Sequence, residues 1–216
     1  MREEILRAAE QLLIETGTED SLTVRAVAQR AGISTPSVYL HFADRETLVE
    51  AVCLRAWEKL DDLMCTAIQE APDPFVALGQ CARVYIRFAL EYPVQYRILI
   101  MRPATGPETQ AAATVCVQHF VDTVSVCVEA GVLHGNPQTL ALSLWSAAHG
   151  CASLVIAQPS FPWPQDLDAV IEQTIRMAGF GAALSSRLPS AVTPDAAELA
   201  AGLDDLTARW NSRDRR

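Results

Sequence analysis

The 216-residue sequence predicts an all-α protein: an N-terminal three-helix head containing a helix-turn-helix, followed by a C-terminal helical bundle. Three observations predict it. Apolar residues recur at i, i+3, i+4 and i+7 along most of the chain. Half of the residues are hydrophobic, many of them Ala and Leu, yet only 6% are aromatic, a composition that favours helix. No stretch alternates with the period of two that a half-buried strand needs, and no repeat of helical-array length occurs.

Residues 3 to 16 place Ile5, Ala9, Leu12 and Leu13 on one helical face, and Gly17 ends that helix. The stretch Thr18 to Leu22 reads as a loop whose Leu22 fills a corner of the core. Val24, Val27, Ala28 and Ala31 then form an apolar stripe on a helix capped by Thr23, and Gly32 supplies the positive φ of a sharp turn. Ser34 caps a second short helix with Pro36 in its first turn, where a missing N–H costs nothing. Val38 points back at the first of these helices, and small Ala28 lets the two backbones approach. Thr35, Ser37, Tyr39 and His41 fall on the other side. The result is a helix-turn-helix with an exposed face of hydrogen-bonding groups.

Asp44 caps a helix running to about residue 71, with Leu48, Val52, Leu60 and Leu63 buried. Pro72, Asp73 and Pro74 mark a boundary, Asp73 as cap and Pro74 as first helical residue. Helices follow over 74–91, from Tyr92 and Pro93 to 101, over 108–130, over 137–157 behind the Asn136-Pro137 signal, and over 166–183. Residues 102–107 and 159–164 read as loops, the first flexible. Helix 137–157 is apolar nearly all round, through Leu140, Leu142, Leu144, Trp145, Leu154, Val155 and Ile156, so it is expected to be buried on all sides. It has the ~20 residues a membrane span needs. Ser143, Ser146, His149 and Ser153, with no flanking basic cluster, argue against one. Thr193 and Pro194 open a last capped segment to Trp210, and Arg213, Arg215 and Arg216 end the tail, read as a loosely docked helix followed by disorder.

The run Val24, Val27, Ala28, Ala31, Gly32, Ile33, Ser34, then Val38, Tyr39, His41 and Phe42, then Glu46 and Leu48, resembles the DNA-binding head of the tetracycline-repressor (TetR) family. The resemblance covers roughly the first 50 residues strongly and the rest by helix pattern. Two departures stand out: the family's aromatic after the glycine is missing, with Leu22 in its stead, and Arg45 stands where the family usually has Lys. The resemblance implies a DNA-binding domain over residues 1–48, a ligand-binding and dimerisation domain over 49–190, and a tail over 191–216. It also implies that Ser34, Thr35, Pro36, Ser37, Tyr39 and His41 meet double-stranded DNA at a palindromic operator, with Thr23, Arg25 and Arg45 fixing the backbone. Trp145, His149 and Gly150 resemble a subgroup named for Trp, His and Gly.

Composition bounds the remaining classes. The net charge is −9, and residues 1–60 carry seven Lys/Arg against ten Asp/Glu, which predicts modest nonspecific affinity for nucleic acid. The stretch Ser21 to Ala43 nevertheless holds Arg25 and Arg30 and no acid. Met1 leads directly into Arg2, Glu3 and Glu4, so no signal peptide and a cytoplasmic location are expected. The six cysteines contain no Cys-x-x-Cys pair, so spacing supports neither a metal site nor a redox motif, and no cofactor is expected. Cys116, Cys127 and Cys151 are the candidates for an alternative redox regulator, and a sensor or protein-interaction module without DNA affinity is a further alternative. The four histidines, at 41, 119, 134 and 149, form no catalytic pairing, and an enzyme is not expected.

For the second domain, Tyr85, Phe88, Cys116, His119, Phe120, Trp145 and His149 are candidates to line a cavity between helices, although each also reads as ordinary core. The central helices contain almost no inward-facing charge, so a mostly apolar small molecule is the expected ligand. Arg83, Arg87, Arg97 and Arg102 are the exceptions, and the i, i+4 spacing of Arg83 and Arg87 reads as a solvated face. Helices 137–157 and 166–183 are expected to pair with their mates in a two-fold homodimer.

Overall fold

Local capping chemistry sets most helix ends. A computed structural model describes residues 1–101, 106–185, 187–188 and 194–213. Helix α1 (Arg2–Thr16) ends at Gly17, whose φ of 67° lets its N–H donate to the Leu13 carbonyl at 3.0 Å. After a 3-10 turn (Glu19–Ser21) inside the expected loop come α2 (Val24–Ala31) and α3 (Thr35–Tyr39). Helix α4 (Arg45–Glu70) is capped by Asp44, α5 (Pro74–Glu91) by Asp73 and α8 (Pro137–Ala157) by Asn136, as the sequence requires. Between them lie α6 (Pro93–Met101) and α7 (Pro107–Glu129), and α9 (Leu167–Ser185) follows with Asp166 accepting from the Ala169 N–H at 2.9 Å. These helices belong to a compact unit, Met1–Ser186.

A second unit, Arg187–Arg216, contains α10 (Ala196–Arg213). Asp195 caps it. The Asp195 carboxylate accepts from the N–H groups of Ala197 and Glu198, and Glu198 accepts from the Asp195 N–H, a capping box. Thr193, Arg102, Arg215 and Arg216 lie outside the described residues.

The head core joins α1, α2, α3 and the start of α4: Ile5, Leu6, Leu13, Leu22, Val27, Val38, Phe42 and Leu48 are all at most 1% exposed. Each such side chain contributes about 1.5–3 kcal/mol on burial. This core does not stop at residue 48, because Val49, Val52 and Cys53 of α4 and Val94 and Ile98 of α6 share it. The rest of the unit is a bundle in which α4 packs on α5 and α7, and α5 also meets α8 and α9.

Two burial expectations need correction. Leu63 is 41% exposed because the inward stripe of α4 runs through Leu60 and Met64. Helix α8 is not buried on all sides: Ala141, Leu144, Ala148 and Ala152 form its inner stripe, whereas Leu142 and Leu154 are 59% and 58% exposed. Small alanines let α8 approach α5 closely, and Leu142 and Leu154 are left outside. By length and hydropathy α7 and α8 could both cross a membrane, yet α7 packs on α4 and α5, and α8 packs on α5, α7 and α9.

Candidate nucleic-acid interface and effector cavity

Three local devices build the helix-turn-helix. Thr23 Oγ1 accepts from the Ala26 N–H at 3.1 Å and starts α2. Gly32, at φ 69°, reverses the chain, and the Ile33 N–H reaches back to the Ala28 carbonyl at 3.0 Å. Ser34 Oγ accepts from the Ser37 N–H at 3.3 Å and shares a 2.7 Å bond with the Ser37 hydroxyl, which starts α3. Val38 and Phe42 are buried, so the turn of helix that holds them presents Tyr39, Leu40 and His41 outward. Tyr39 is 52% and Leu40 83% exposed. Pro36 is exposed, and Thr35 and Ser37 are half-buried on the same short helix. Sequence reasoning missed Leu40, and its apolar side chain beside two hydrogen-bonding ones was the signal.

The basic residues are placed less freely than the sequence suggests. Arg25 is exposed on α2. Arg30 is taken up by Glu15 in a two-pronged ion pair and by Gln11 at 3.2 Å, tying α2 to α1. Arg45, expected outside the core, folds back: its guanidinium donates to the Leu22 carbonyl at 2.8 Å and the Glu19 carbonyl at 3.1 Å, and pairs with the Glu46 carboxylate at 3.1 Å. The Glu19 carbonyl already accepts from the Leu22 N–H at 3.0 Å, which closes the 3-10 turn, and the planar guanidinium adds a second donor there while also serving the Leu22 carbonyl. The Asp44 carboxyl beside it is held below its ordinary range by the Thr47 N–H and then the Thr47 hydroxyl.

The second site is a cavity of about 230 Å³ among α4, α5, α7 and α8. Of the expected lining residues, Tyr85, Cys116, Phe120 and Trp145 do line it. Trp57, Leu60 and Met64 of α4 complete the wall; only Leu60 is expected inward from the sequence, and the i, i+3, i+7 spacing of the three is the signal for the other two. An adjoining pocket of about 320 Å³ between α5 and α9 shares Phe120, Leu144 and Ala148 with it.

The remaining candidates lie elsewhere. Phe88 is 3% exposed and packs on Tyr92 at 5.4 Å, away from the cavity. His149 is a hydrogen-bonded core histidine: Nδ1 lies 2.6 Å from the Tyr96 hydroxyl and 3.2 Å from that of Tyr85. Tyr85 also donates to Tyr96 at 3.3 Å, and burial, with Tyr96 as a lesser cause, pushes its phenol well above the usual range. His119 stands apart, 2.8 Å from the Asp61 carboxylate and 3.4 Å from Cys65 Sγ. Arg83 and Arg87 are engaged with Glu172 and Asp168 of α9 and do not point into the cavity. Arg97 donates to the Gly17 carbonyl at 3.0 Å, joining α6 to the end of α1.

An exposed reading helix on a capped helix-turn-helix, above an apolar cavity in a helical bundle, is the layout of a DNA-binding regulator. Residues 5–52 match the family model described as bacterial regulatory proteins, tetR family, and residues 78–178 match the tetracyclin repressor-like C-terminal domain. The chain belongs to the TetR family. It is 30% identical over 155 residues to the uncharacterized HTH-type transcriptional regulator Rv0681 of Mycobacterium tuberculosis, covering 69% of this chain and 67% of that one. It is 35% identical over 75 residues to the class D tetracycline repressor of Escherichia coli, and the match spans 35% of this chain and about a third, 34%, of the repressor's length. Among solved structures, a Rhodococcus sp. RHA1 protein of unknown function superposes with a TM-score of 0.75 at 24% identity, covering 84% of this chain and 95% of that one. The fatty acid degradation regulator FadR of Bacillus halodurans gives 0.68 at 15% identity, covering 84% and 99%. These two likenesses establish the fold. The curated relatives are regulators and not enzymes, in keeping with a sequence that carries no catalytic motif.

Proposed function

We propose that the chain is a cytoplasmic, ligand-responsive transcriptional regulator, a repressor that leaves a palindromic operator when a small, mostly apolar molecule enters the cavity. The observation that carries this reading is the outward face Tyr39, Leu40 and His41 on a helix whose other side, Val38 and Phe42, is locked in the head core. In a major groove Tyr39, His41, Thr35 and Ser37 supply hydrogen bonds and Leu40 an apolar contact of the kind a thymine methyl accepts. Residues 1–48 act as the head and 49–190 as the effector and dimerisation domain, with 191–216 as a tail. Thr23, Ser34 and Pro36 shape the interface more than they read it, and Arg25 meets phosphate. Arg45 holds the Glu19–Leu22 corner in place instead of reaching the backbone of the DNA.

Dimerisation through α8 and α9 accounts for the apolar side chains the monomer leaves outside, Leu142 and Leu154 on α8 and Met177 and Phe180 on α9. The name of FadR, a fatty acid degradation regulator, fits an apolar ligand as well. Control runs as a population shift: a ligand filling the cavity moves α4 and α6, and the two heads lose the spacing of successive major-groove half-sites. Of the redox candidates, Cys116 and Cys127 are disfavoured because burial pushes their thiols up to about 12 and about 11. A protein-interaction module is the reading that the pairing of Arg30 and Arg45 favours, and it predicts no operator binding. The test is a thermal-shift screen of uncharged apolar metabolites. A compound that raises Tm should release the chain from operator DNA, and Phe120→Ala with Trp145→Ala should abolish the release while sparing DNA binding. Release that survives both changes places the effector elsewhere.

A further inference from the structure

On α4, Asp61 and Cys65 stand one turn apart and face His119 of α7. His119 Nδ1 is 2.8 Å from Asp61 Oδ1 and 3.4 Å from Cys65 Sγ, and Cys65 Sγ is 4.0 Å from that carboxylate oxygen. We propose that these three residues bind a divalent metal ion of the zinc class, which fastens α4 to α7.

The geometry is that of a coordination face. Zinc bonds of about 2.0–2.3 Å at tetrahedral angles set neighbouring ligand atoms about 3.4–3.6 Å apart. The separations found here bracket that figure, so an ion enters with the Asp61–His119 pair opening and the cysteine closing by about half an ångström. The donor set selects the ion. A thiolate, an imidazole and a carboxylate suit zinc and its neighbours, whereas magnesium and calcium ask for oxygen alone. On binding, the Cys65 thiol passes its proton to solvent, and three protein ligands leave a fourth position for water. Entry is open: the Asp61 and His119 side chains are 19% and 40% exposed, and Cys65 and His119 line a groove with Gln69 and Asp122. Cys116 is buried and lines the cavity on the core side, outside the group of three. Sequence spacing could not show the site, since Cys65 and His119 are 54 residues apart.

The site stands on this geometry and does not depend on the DNA-binding reading. The test is titration of the full chain, first stripped with a chelator, with cobalt(II) as a spectroscopic substitute for zinc. The expected result is thiolate-to-cobalt absorption that saturates at one ion per chain, is displaced by zinc, disappears in Cys65→Ser and is weakened more than about tenfold in His119→Gln. Absence of that absorption, or its persistence in Cys65→Ser through one of the other five cysteines, overturns the proposal. Circular dichroism accompanies each variant. If Cys65→Ser does not fold, the half-exposed His119→Gln decides alone, and unchanged cobalt affinity there overturns the site.

Discussion

The Tyr96 hydroxyl lies 2.6 Å from His149 Nδ1, and that bond ties α6 to α8 inside the bundle core. Tyr96 is on α6, whose neighbouring positions Val94 and Ile98 are each only 4% exposed in the head core. His149 is on α8 one turn from Trp145, a wall of the cavity. A shift of α8 on filling the cavity therefore reaches the head through a short helix with one face in each core. Tyr96→Phe removes the hydroxyl and keeps the ring. It should cost about 1 kcal/mol of stability, leave operator affinity intact and blunt the effector response. Denaturation and operator release measured on the same variant check this; an unchanged response would exclude α6 as the route.

Tyr39 and Arg45 should separate cleanly. Tyr39→Ala removes an exposed side chain, so stability should move by less than about 0.5 kcal/mol while operator affinity falls by about 1–3 kcal/mol. Arg45→Ala removes the guanidinium from the Leu22 carbonyl and the second of two donors from the Glu19 carbonyl, and should lower the head's stability by about 1–3 kcal/mol. Urea denaturation beside DNA titration distinguishes them. If Arg45→Ala weakens DNA binding with unaltered stability, Arg45 does serve as a phosphate contact.

Cys81, Cys116 and Cys127 should resist alkylation at neutral pH, because the thiolate that reacts is scarce when burial lifts the pKa to about 11 or 12. Mass spectrometry after a timed pulse of iodoacetamide should find them unmodified in the folded chain and modified in urea. Rapid native labelling of Cys116 would reopen the redox reading.

Asp44 gives the head an acid dependence of known sign. Its folded-state pKa is depressed by the Thr47 N–H, so the cap's contribution is full above the ordinary carboxylate range and is lost as pH falls through the lowered value. Asn caps comparably without titrating. In a series of melting curves below pH 5, Asp44→Asn should lose less Tm than the parent chain. Parallel curves would mean that Asp44 is not a source of acid lability.

How much of this was legible in the sequence depended on range. Thr23, Gly32, Ser34, Asp44, Asp73 and Asn136 were readable because a cap acts over two or three residues. The exposure of Tyr39 followed from the inward period of Val38 and Phe42. The partners of Arg45 were not legible because they depend on how the 3-10 turn at Glu19–Ser21 presents its carbonyls, 23 and 26 residues away. Tyr96 was overlooked because its partner His149 is 53 residues distant, and His119 was set in the cavity because its tie to Asp61 spans 58. For α8, periodicity could not tell which side of an almost wholly apolar helix faces inward. The alanines at 141, 148 and 152 carried that signal, since only small residues permit so close an approach.

The central claim is that the Tyr39 face reads DNA, and fluorescence anisotropy tests it most directly. A labelled duplex carrying the palindrome from the promoter beside the chain's own coding region is titrated at several salt concentrations with the parent chain and with Tyr39→Ala. The account predicts saturable binding of a dimer, tighter than to a scrambled duplex, weakening with salt, and reduced roughly 5- to 150-fold by Tyr39→Ala. Equal affinity for palindrome and scrambled duplex, or binding that Tyr39→Ala leaves unchanged, would contradict it.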